Sequence, residues 1–221
     1  MDNFVADSRT NGLKRPMDQH DGRGLFSMTS SEPGTRGILL MIRLFVAIDF
    51  PEEVRKLLSG MCCGIPGAKW IPEEQFHLTL RFIGEVDGGL FRDIMDTLAD
   101  VRSASMSIRL RGLGYFPPRK QPRVLWVGIE PASEVSLLRD RIESKLVRLG
   151  LEPERRKFSP HVTLARLDDP PLPKLTRYLA GNALFASDTF EVNEFSLYSS
   201  VLTPKGAIHQ IEAAYPLEKK D

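Results

Sequence analysis

Two spacings of hydrophobic residues recur along the chain, one with a period of two and the other with a spacing of three or four. The run 43–49 is β-branched and aromatic and is followed by Pro51, which predicts a strand. Apolar residues three or four positions apart from Val54 to Met61 then predict an amphipathic helix. The remaining predicted strands are 68–71, 76–83 (ending at Gly84), 106–113, 124–129, 161–167, 189–200 and 207–214, and the remaining predicted helices are 89–101, 133–149 and 175–179.

The order of these elements indicates the fold class. Strands and helices alternate unevenly, and several strands follow one another with only a turn or loop between them. This order favours an α+β fold with mixed or antiparallel sheets over a doubly wound parallel fold. The second half of the chain also repeats the layout of the first half, so we expect two similar lobes.

Residues 1–37 differ in composition from the rest of the chain. Only 9 of these 37 residues are hydrophobic and five are glycines, a composition too polar to form a core. Met41 stands directly before the first predicted strand. We therefore predict a disordered N-terminal extension over 1–40 and one folded domain over 41–221. The extension could come from an upstream start codon or a vector, or it could act as a short regulatory tail.

Composition excludes several classes of protein. The 221 residues include 30 Lys and Arg against 29 Asp and Glu, and the net charge of +1 excludes a chain that coats nucleic acid by charge alone. The two cysteines, Cys62 and Cys63, are neighbours and fit disulfide geometry poorly, so we expect a reducing, cytoplasmic location. The longest apolar run, 38–42, is far shorter than the about 20 residues that span a bilayer. We therefore expect no membrane segment. A monomer is a separate expectation.

The feature that carries chemistry is a repeated tetrad. Residues 77–80 read His-Leu-Thr-Leu and residues 161–164 read His-Val-Thr-Leu, each in a predicted strand. Residues two apart in a strand point to the same face. One face of the first strand therefore presents His77 with Thr79, and the second tetrad presents its histidine and threonine in the same way. The opposite face of the first strand is predicted to be apolar and to hold Phe76, Leu78, Leu80 and Phe82.

Two copies of this tetrad, 84 residues apart, are hard to explain by chance. A single strand histidine is usually structural and bonded to its neighbour, but two copies in similar halves favour a shared site. A quasi-twofold axis would bring the two strands face to face across a central cleft. Zinc binding is the competing interpretation, but catalytic zinc takes three protein ligands and the tetrads supply two histidines. We therefore expect no metal and no cofactor.

Two histidines and two threonine hydroxyls suit one kind of reaction. Histidine titrates at about pH 6.5, so one imidazole can accept a proton while the other, still protonated, donates one. Threonine hydroxyls can donate hydrogen bonds to anionic oxygens between them. In-line displacement at a phosphodiester needs a base on one side of the phosphorus and an acid on the other. A strained cyclic phosphate needs no metal to assist this reaction.

Paired His-x-Thr-Leu tetrads on a chain of this size resemble the 2H phosphoesterase superfamily. Within it, the sequence is most similar to the bacterial and archaeal RNA 2′,3′-cyclic phosphodiesterases, once described as 2′-5′ RNA ligases. The similarity covers residues 41–217 and includes 43–48, 70–80, 158–166 and 198–200. The resemblance implies a bilobal fold, with two pseudo-symmetric lobes of mixed or antiparallel sheet, helices on the outside and a central cleft.

The resemblance also implies an activity and a role for each site residue. The activity is metal-independent hydrolysis of 2′,3′-cyclic phosphate ends of RNA to 2′-phosphomonoesters. His77 matches the family's proton donor to the leaving 3′-oxygen, and His161 matches the proton acceptor that activates water. Thr79 and Thr163 match the hydroxyls that hold the phosphate, and Arg166 matches a substrate contact to phosphate or base.

Charge gives partial support from outside the tetrads. Residues 101–129 contain no acid. The cations in or near this stretch and before the second tetrad are Arg102, Arg109, Arg111, Arg119, Lys120, Arg123 and the run 155–157. They could form a rim that follows an RNA backbone, or they could be ordinary solvated loops. Tyr115 and Phe116 beside them could stack on a base or pack in the core. One departure from the family pattern is His209, where an aromatic residue is usual, and it bears on local packing alone.

Two other functions stay open at this point. The same site could join RNA ends through a 2′-5′ linkage, or the fold could be a non-catalytic nucleotide- or RNA-binding module. Both histidines are intact, which favours an enzyme. The expected partner is RNA or an oligonucleotide, with a 2′,3′-cyclic phosphate terminus in the case of the phosphodiesterase.

Overall fold

The computed structural model describes residues 41–118, 120–204 and 206–219, and the predicted extension over 1–40 lies outside these ranges. The strands are β1 (Ile42–Asp49), β2 (Ala68–Trp70), β3 (His77–Val86), β4 (Met106–Phe116), β5 (Val124–Glu130), β6 (His161–Leu167), β7 (Phe190–Val192), β8 (Glu194–Thr203) and β9 (Gly206–Pro216). The helices are α1 (Glu52–Gly60), α2 (Gly88–Ala99), α3 (Ala132–Arg148) and α4 (Leu172–Gly181), with a short 3-10 helix over Glu73–Gln75. None of the helices in the described ranges combines the length and the apolar character that crossing a bilayer requires.

The helices form where the sequence pattern predicts them. α2 begins after Asp87, whose Oδ1 accepts hydrogen bonds from the backbone nitrogens of Gly89 (2.8 Å) and Leu90 (2.9 Å), the usual role of a helix N-cap. α3 buries an apolar stripe at helical spacing. The buried residues of that stripe are Val135, Leu138, Ile142 and Leu146.

The strands form one sheet in the order β7-β4-β5-β6-β3-β1-β8-β9, with β2 beside β6. Every pair of neighbouring strands is antiparallel, so the predicted α+β class is confirmed. The two tetrad strands, β3 and β6, lie side by side and pair at Leu78 and Val162. The prediction that they face each other across a cleft is therefore wrong.

Two lobes of four strands meet at β3 and β6, and the chain visits them alternately. One lobe has the order β3-β1-β8-β9 and the other has β6-β5-β4-β7. The elements β1, α1, β3, α2 and β4 recur in the same order as β5, α3, β6, α4 and β8. The last strand of each repeat pairs with the first strand of the other, β4 with β5 and β8 with β1. The lobes therefore do not coincide with the two halves of the sequence.

The main core lies on the face of the sheet that the helices cover. In β1, Leu44, Val46 and Ile48 point into this core, whereas Phe45 and Ala47 point to the opposite face, here called the cleft face. All five side chains are at most 2 % exposed. A strand buried on both faces explains why its sequence is an unbroken hydrophobic run instead of an alternating one.

The predicted strand over 189–200 is wrong, because the structure has two strands there, separated by Asn193. β7 pairs with β4, whereas β8 pairs with β1 and β9. The backbone of Asn193 accepts a hydrogen bond from the Leu217 nitrogen (2.7 Å), which fixes the link between them. β3 also continues past its predicted end at Gly84 to Val86, because Gly84 adopts a φ of +96° that costs glycine little.

Candidate active site

The structure brings the two tetrads together at the point where the lobes meet. Both tetrads occupy the first residues of their strands. Leu78 and Val162 pair directly there, and both are fully buried in the main core. Since successive side chains of a strand alternate between faces, the residues on either side of this pair project from the cleft face. The four side chains that project there together are His77, Thr79, His161 and Thr163.

A β-bulge follows the threonine in the first tetrad. Thr79 pairs with Ala47 and Arg81 pairs with the adjacent Val46, so Leu80 has no partner across this pair of strands. A bulge of this kind shifts the alternation of side chains by one residue.

The second tetrad has a bulge at the same position. Thr163 pairs with Trp126 and Ala165 pairs with the adjacent Leu125, which leaves Leu164 without a partner on this side. In each lobe, the alternation of side chains between the two faces therefore shifts at the last residue of the tetrad. The two tetrads share this bulge as well as their sequence.

The bulges decide which of the following residues reach the cleft face. Arg81 and Ala165 turn into the main core, whereas Phe82 and Arg166 are exposed. The prediction that Phe82 lies on the apolar core face is wrong, because its ring stacks on that of Phe45 on the cleft face (centroids 6.0 Å apart, planes at 8°). For Arg166, the same shift places the side chain on the cleft face, beside the second tetrad.

Arg81 occupies the main core as a paired cation. Its Nε lies 2.6 Å from Oε2 of Glu143 on α3. Its terminal nitrogens donate to the backbone carbonyls of Phe82 (2.6 Å) and Glu152 (2.5 Å). The guanidinium therefore ties β3 to α3 and to the segment that leads towards β6, so it links the supports of both tetrads.

Both site histidines have the same tautomer. Nδ1 of His77 lies 2.8 Å from the carbonyl oxygen of Gln75, and Nδ1 of His161 lies 2.7 Å from that of Ser159. A carbonyl can only accept, so each Nδ1 carries the proton and donates. The neutral form of each ring therefore keeps its lone pair on Nε2, which is the nitrogen left for acid–base chemistry.

His77 lies in an aromatic enclosure. Its ring centroid is 5.0 Å from that of Phe45, 6.2 Å from Tyr198 and 5.6 Å from His209. The pKa of His77 is lowered to about 4, mainly by burial and to a smaller extent by the neighbouring His209, while the hydrogen bond to Gln75 and the charge of Asp49 oppose the shift. In the free site at neutral pH, His77 is therefore uncharged.

A carboxylate supports the His77 side of the site. Asp49 ends β1 directly opposite His77. It accepts hydrogen bonds from the Tyr198 hydroxyl and from Oγ of Ser196 (3.2 Å). Burial and the hydrogen bond to Asp49 raise the pKa of the Tyr198 hydroxyl far above its usual value, so Tyr198 stays protonated and keeps donating to the carboxylate.

His161 has a more open setting. Phe116 approaches it edge-on at 5.0 Å and Trp126 lies 6.4 Å away. The residue opposite its ring across the strand pair is Gly128, so no carboxylate occupies that position. The indole of Trp126 lies against the backbone of Gly114, where any Cβ would clash with the ring. Glycine at this place in β4 lets the indole pack beside the histidine.

Two cations lie together on the cleft face beyond the second tetrad. Lys69 of β2 pairs with Arg166 of β6, so the two side chains point the same way, and both are exposed. Within the described ranges, no carboxylate lies at ion-pair distance from either one. Both charges are therefore available to an anionic ligand.

The predicted basic rim is smaller than the sequence suggests. Arg109 and Arg111 both bind Oε2 of Glu130, at 2.6 Å and 2.9 Å. Hydrogen bonds from Arg111 and Arg109 hold the pKa of the Glu130 carboxyl below its usual range. Arg102 donates to the Ala99 carbonyl, and its Nε lies 3.9 Å from Oε1 of Glu218. These three arginines are compensated, whereas Lys120 and Arg123 stay exposed and Arg119 lies outside the described residues.

A metal ion is another group that such a site could hold. Over the described part of the chain, no three side chains of His, Cys, Asp or Glu gather closely enough to bind a metal ion. The expected absence of a metal and of a cofactor stays a prediction.

Comparison with known proteins places the chain in a family. The model of the 2′-5′ RNA ligase superfamily matches residues 50–203. The chain belongs to this superfamily. A relative from Aeropyrum pernix named RNA 2′,3′-cyclic phosphodiesterase is 41 % identical over 149 residues, which cover 66 % of this chain and 84 % of the relative. A protein of the same name from Thermotoga maritima is 36 % identical over 176 residues, which cover 77 % of this chain and 92 % of the relative.

Solved structures in this superfamily have the same fold. The crystal structure of TT0787 from Thermus thermophilus matches with a TM-score of 0.69 and 28 % identity, and the match covers 81 % of this chain and 100 % of that chain. Escherichia coli LigT in its apo form matches with a TM-score of 0.67 and 23 % identity, and the match covers 80 % and 98 % of the two chains. The resemblance seen in the sequence and the fold that it implies are therefore confirmed.

Several side chains at the site were not singled out by the sequence pattern. Asp49 follows Phe45 and Ala47 at the two-residue spacing of one strand face. The continuous hydrophobic run of this strand obscures that spacing in the sequence. Tyr198 and His209 lie on strands more than 100 residues away from His77, and sequence spacing cannot show that they touch it. Of these, His209 stands out in the sequence only as a departure from the family pattern.

Proposed function

We propose that this member of the 2′-5′ RNA ligase superfamily hydrolyses 2′,3′-cyclic phosphate ends of RNA to 2′-phosphomonoesters, without a metal ion. The observation that carries the proposal is the meeting of two His-x-Thr pairs on the cleft face, around Leu78 and Val162. Both imidazoles keep Nε2 free, as an acid and a base on opposite sides of one phosphorus require. The name shared by the relatives, RNA 2′,3′-cyclic phosphodiesterase, supports the same activity.

In the proposed reaction, the two histidines move protons in opposite directions. Nε2 of His161 accepts a proton from water while the water oxygen attacks the phosphorus. The bond from phosphorus to the 3′-oxygen breaks, and that oxygen takes the proton from Nε2 of His77. The products are a 2′-phosphomonoester and a free 3′-hydroxyl, and the two histidines return to their starting protonation states through solvent.

For His77 to act as the proton donor, binding of the substrate must change the protonation state of His77. Burial holds the pKa of His77 at about 4 in the free site, so its donor form is scarce at neutral pH. A cyclic phosphate adds a negative charge beside the ring, and a nearby opposite charge favours the charged imidazolium. The Asp49 carboxylate acts in the same direction. His77 therefore takes up its proton as the substrate binds.

The remaining polar groups suit the phosphate. Thr79 and Thr163 can donate hydroxyl hydrogen bonds to its non-bridging oxygens, where charge develops during the displacement. Arg166 and Lys69 lie further along the cleft face and can contact the phosphate or the next phosphodiester of the RNA chain. Charge-assisted contacts of this kind are the strong ones in phosphate recognition.

The test is hydrolysis of 2′,3′-cyclic AMP in the presence of EDTA, with the product identified as 2′-AMP or 3′-AMP. We expect 2′-AMP. We also expect His77→Ala and His161→Ala each to lower kcat about 10²- to 10⁴-fold, the range for a general acid or base. The matched control is Arg92→Ala on the exposed side of α2, which should retain wild-type kcat. Full activity in either histidine variant, or no turnover by the wild type, would contradict the proposal.

A second candidate activity is 2′-5′ RNA ligation, favoured by the description of the superfamily that matches this chain. In ligation a 5′-hydroxyl of a second RNA would replace the attacking water at the same two histidines. Incubation of RNA ends with and without a 5′-hydroxyl separates the two activities by their products. A non-catalytic binding module would bind nucleotide and turn over no cyclic phosphate.

A cytoplasmic location and a monomeric state complete the proposal. The location rests on the neighbouring cysteines, which are both free in the structure. Sedimentation of the purified chain would test the monomer directly.

A further inference from the structure

The hairpin of β8 and β9 closes over His77. In the sheet order, β9 is three strands away from β3, and a flat sheet with about 4.8 Å between strands would hold them roughly 14 Å apart. The ring centroids of His209 on β9 and His77 on β3 are nevertheless 5.6 Å apart. The sheet therefore curls inward, and Nε2 of Gln75 donates to the Ala207 carbonyl (3.1 Å) and anchors the hairpin there.

His209 meets His77 in a defined geometry. The two rings are almost perpendicular, at 88°, and His209 is also edge-on to Phe45 at 5.0 Å and 77°. Such edge-to-face contacts between rings are directional. Nδ1 of His209 is buried and has no hydrogen-bond partner among the described residues. Burial also lowers the pKa of His209, so the ring is neutral and packs as an aromatic side chain would.

The other lobe has no counterpart to this contact. There the outermost strand is β7, which has three residues and pairs with the far end of β4, at Met106–Ile108. In the described structure the rings against His161 are those of Phe116 and Trp126 alone. His77 therefore contacts a side chain of the outermost strand of its lobe, whereas His161 has no such contact among the described residues.

We propose that His209 is a positioning residue for His77, and that it makes the two histidines of the site unequal. It holds the His77 ring on the line from the Gln75 carbonyl to the substrate, so that Nε2 points to the leaving oxygen. It also keeps water away from one face of that ring. This inference rests on the proposed function for its kinetic test, but not for its spectroscopic test.

The physical basis is the cost of a misplaced acid. A hydrogen bond through Nδ1 fixes one point of the imidazole but leaves the ring free to rotate about that bond. The ring of Phe45, tilted by 34° to that of His77, and the perpendicular ring of His209 restrict this rotation. A displacement of about 1 Å at a reacting group can lower the rate about 10²-fold. The charged and titratable groups around the two rings are Asp49 on β1, Tyr198 on β8, and the ion pair of Arg43 and Glu85, which lies in the same cross-strand row as His209.

The test compares three variants with the full wild-type chain. His209→Ala removes the contact, His209→Phe keeps an edge-on ring without nitrogens, and Ile208→Ala changes the exposed neighbour that points to the opposite face of β9. Steady-state hydrolysis of 2′,3′-cyclic AMP gives kcat and KM, and NMR titration of the imidazole resonances gives the pKa of His77.

We expect His209→Ala to lower kcat about tenfold or more with KM within about twofold, because positioning acts on the transition state. The pKa of His77 should rise towards its ordinary value as water enters. His209→Phe should restore kcat to within about threefold of the wild type, and Ile208→Ala should match the wild type.

The proposal is overturned if His209→Ala keeps the wild-type kcat and the wild-type pKa of His77. It is also overturned if its loss of activity matches the loss of folded protein measured by circular dichroism. If the wild type does not hydrolyse the substrate, the proposed function fails, and the NMR titration still decides whether His209 controls His77.

Discussion

The two lobes present the same tetrad in different surroundings. The backbone of the site is symmetric: each histidine opens a strand, donates through Nδ1 to the carbonyl two residues before it, and is followed by a bulge after the threonine. The two histidines differ in the residues that surround them. The His77 side has a carboxylate and a covering hairpin, and the His161 side has an open aromatic wall and two exposed cations.

This comparison teaches that a sequence repeat can preserve geometry while chemistry diverges at the neighbouring positions. Equivalent places in the two strand pairs hold Asp49 and Gly128, Ala47 and Trp126, and Phe82 and Arg166. A general acid and a general base need different pKa values. Two equal histidines can obtain them only from unequal neighbours, so the asymmetry of the lobes is what the proposed reaction requires.

The largest expected effect tests the bulge, which buries Arg81 in one lobe and Ala165 in the other. Arg81→Ala removes the 2.6 Å partner of Glu143 and leaves that carboxylate with the longer 3.8 Å contact to Arg139, and breaking a buried pair in this way costs about 3–5 kcal/mol. We expect the free energy of unfolding in urea to fall by that amount. Adding Glu143→Ala should recover part of the loss. An equal fall with Arg92→Ala, an exposed arginine, would show that the buried pair is not the cause.

The next effect concerns acid stability. The pKa of His77 is about 4 in the folded chain and about 6.5 in an unfolded one, so between these values the unfolded chain binds more protons. The free energy of unfolding should therefore fall as the pH decreases from 6.5 to 4, by about 3 kcal/mol from this group alone. His77→Asn should remove that part of the slope, and Arg92→Ala should retain it. Identical pH profiles for His77→Asn and the wild type would contradict the enclosure of His77.

A smaller effect tests Asp49, the carboxylate opposite His77, whose counterpart opposite His161 is Gly128. Asp49→Asn removes the charge that favours protonated His77, so kcat should fall about 10- to 100-fold. If His77 donates the proton, kcat decreases as the pH rises through its pKa in the complex, and the variant should shift that alkaline limb to lower pH. Asp93→Asn on α2 is the matched control. An unshifted limb would argue against the donor role of His77.

Lys69, which only the His161 side presents, has a milder expected role. Lys69→Ala should lower kcat/KM about five- to tenfold for an oligonucleotide with a 2′,3′-cyclic end and leave 2′,3′-cyclic AMP within about twofold, as a lost phosphate contact would do. The slope of log kcat/KM against log salt should also become shallower by about 0.7, the value for one contact to a single strand. Lys56→Ala on α1 serves as the control. Equal losses on both substrates would place Lys69 elsewhere in the mechanism.

The smallest effect is expected for residues 1–40, whose prediction as a disordered extension the structure does not address. Deleting them should leave the Tm and the kcat of the domain unchanged, because the segment has too few hydrophobic residues to form a core. A clear drop in either quantity would assign the extension a structural or regulatory role.

Much of this could be predicted from the sequence, and the exceptions share a cause. The tetrads, the helices and the α+β class follow from local periodicity. The bulges do not, because they depend on which residue of the neighbouring strand faces Thr79 or Thr163. For the same reason, the predicted face of Phe82 is wrong, and the contact of His209 with His77 could not be predicted. Long-range pairing of strands decided each of these points.

The exchange of β4 and β8 between the repeats has a consequence for assembly. Each repeat on its own carries one His-x-Thr pair and lacks the strand that completes its sheet, so it is half of a site and half of a fold. Two separate copies of such a repeat would complete each other by trading their last strands, as domain-swapped homodimers do. In one polypeptide the two halves of the site can carry different residues, whereas the two halves of a homodimer are identical.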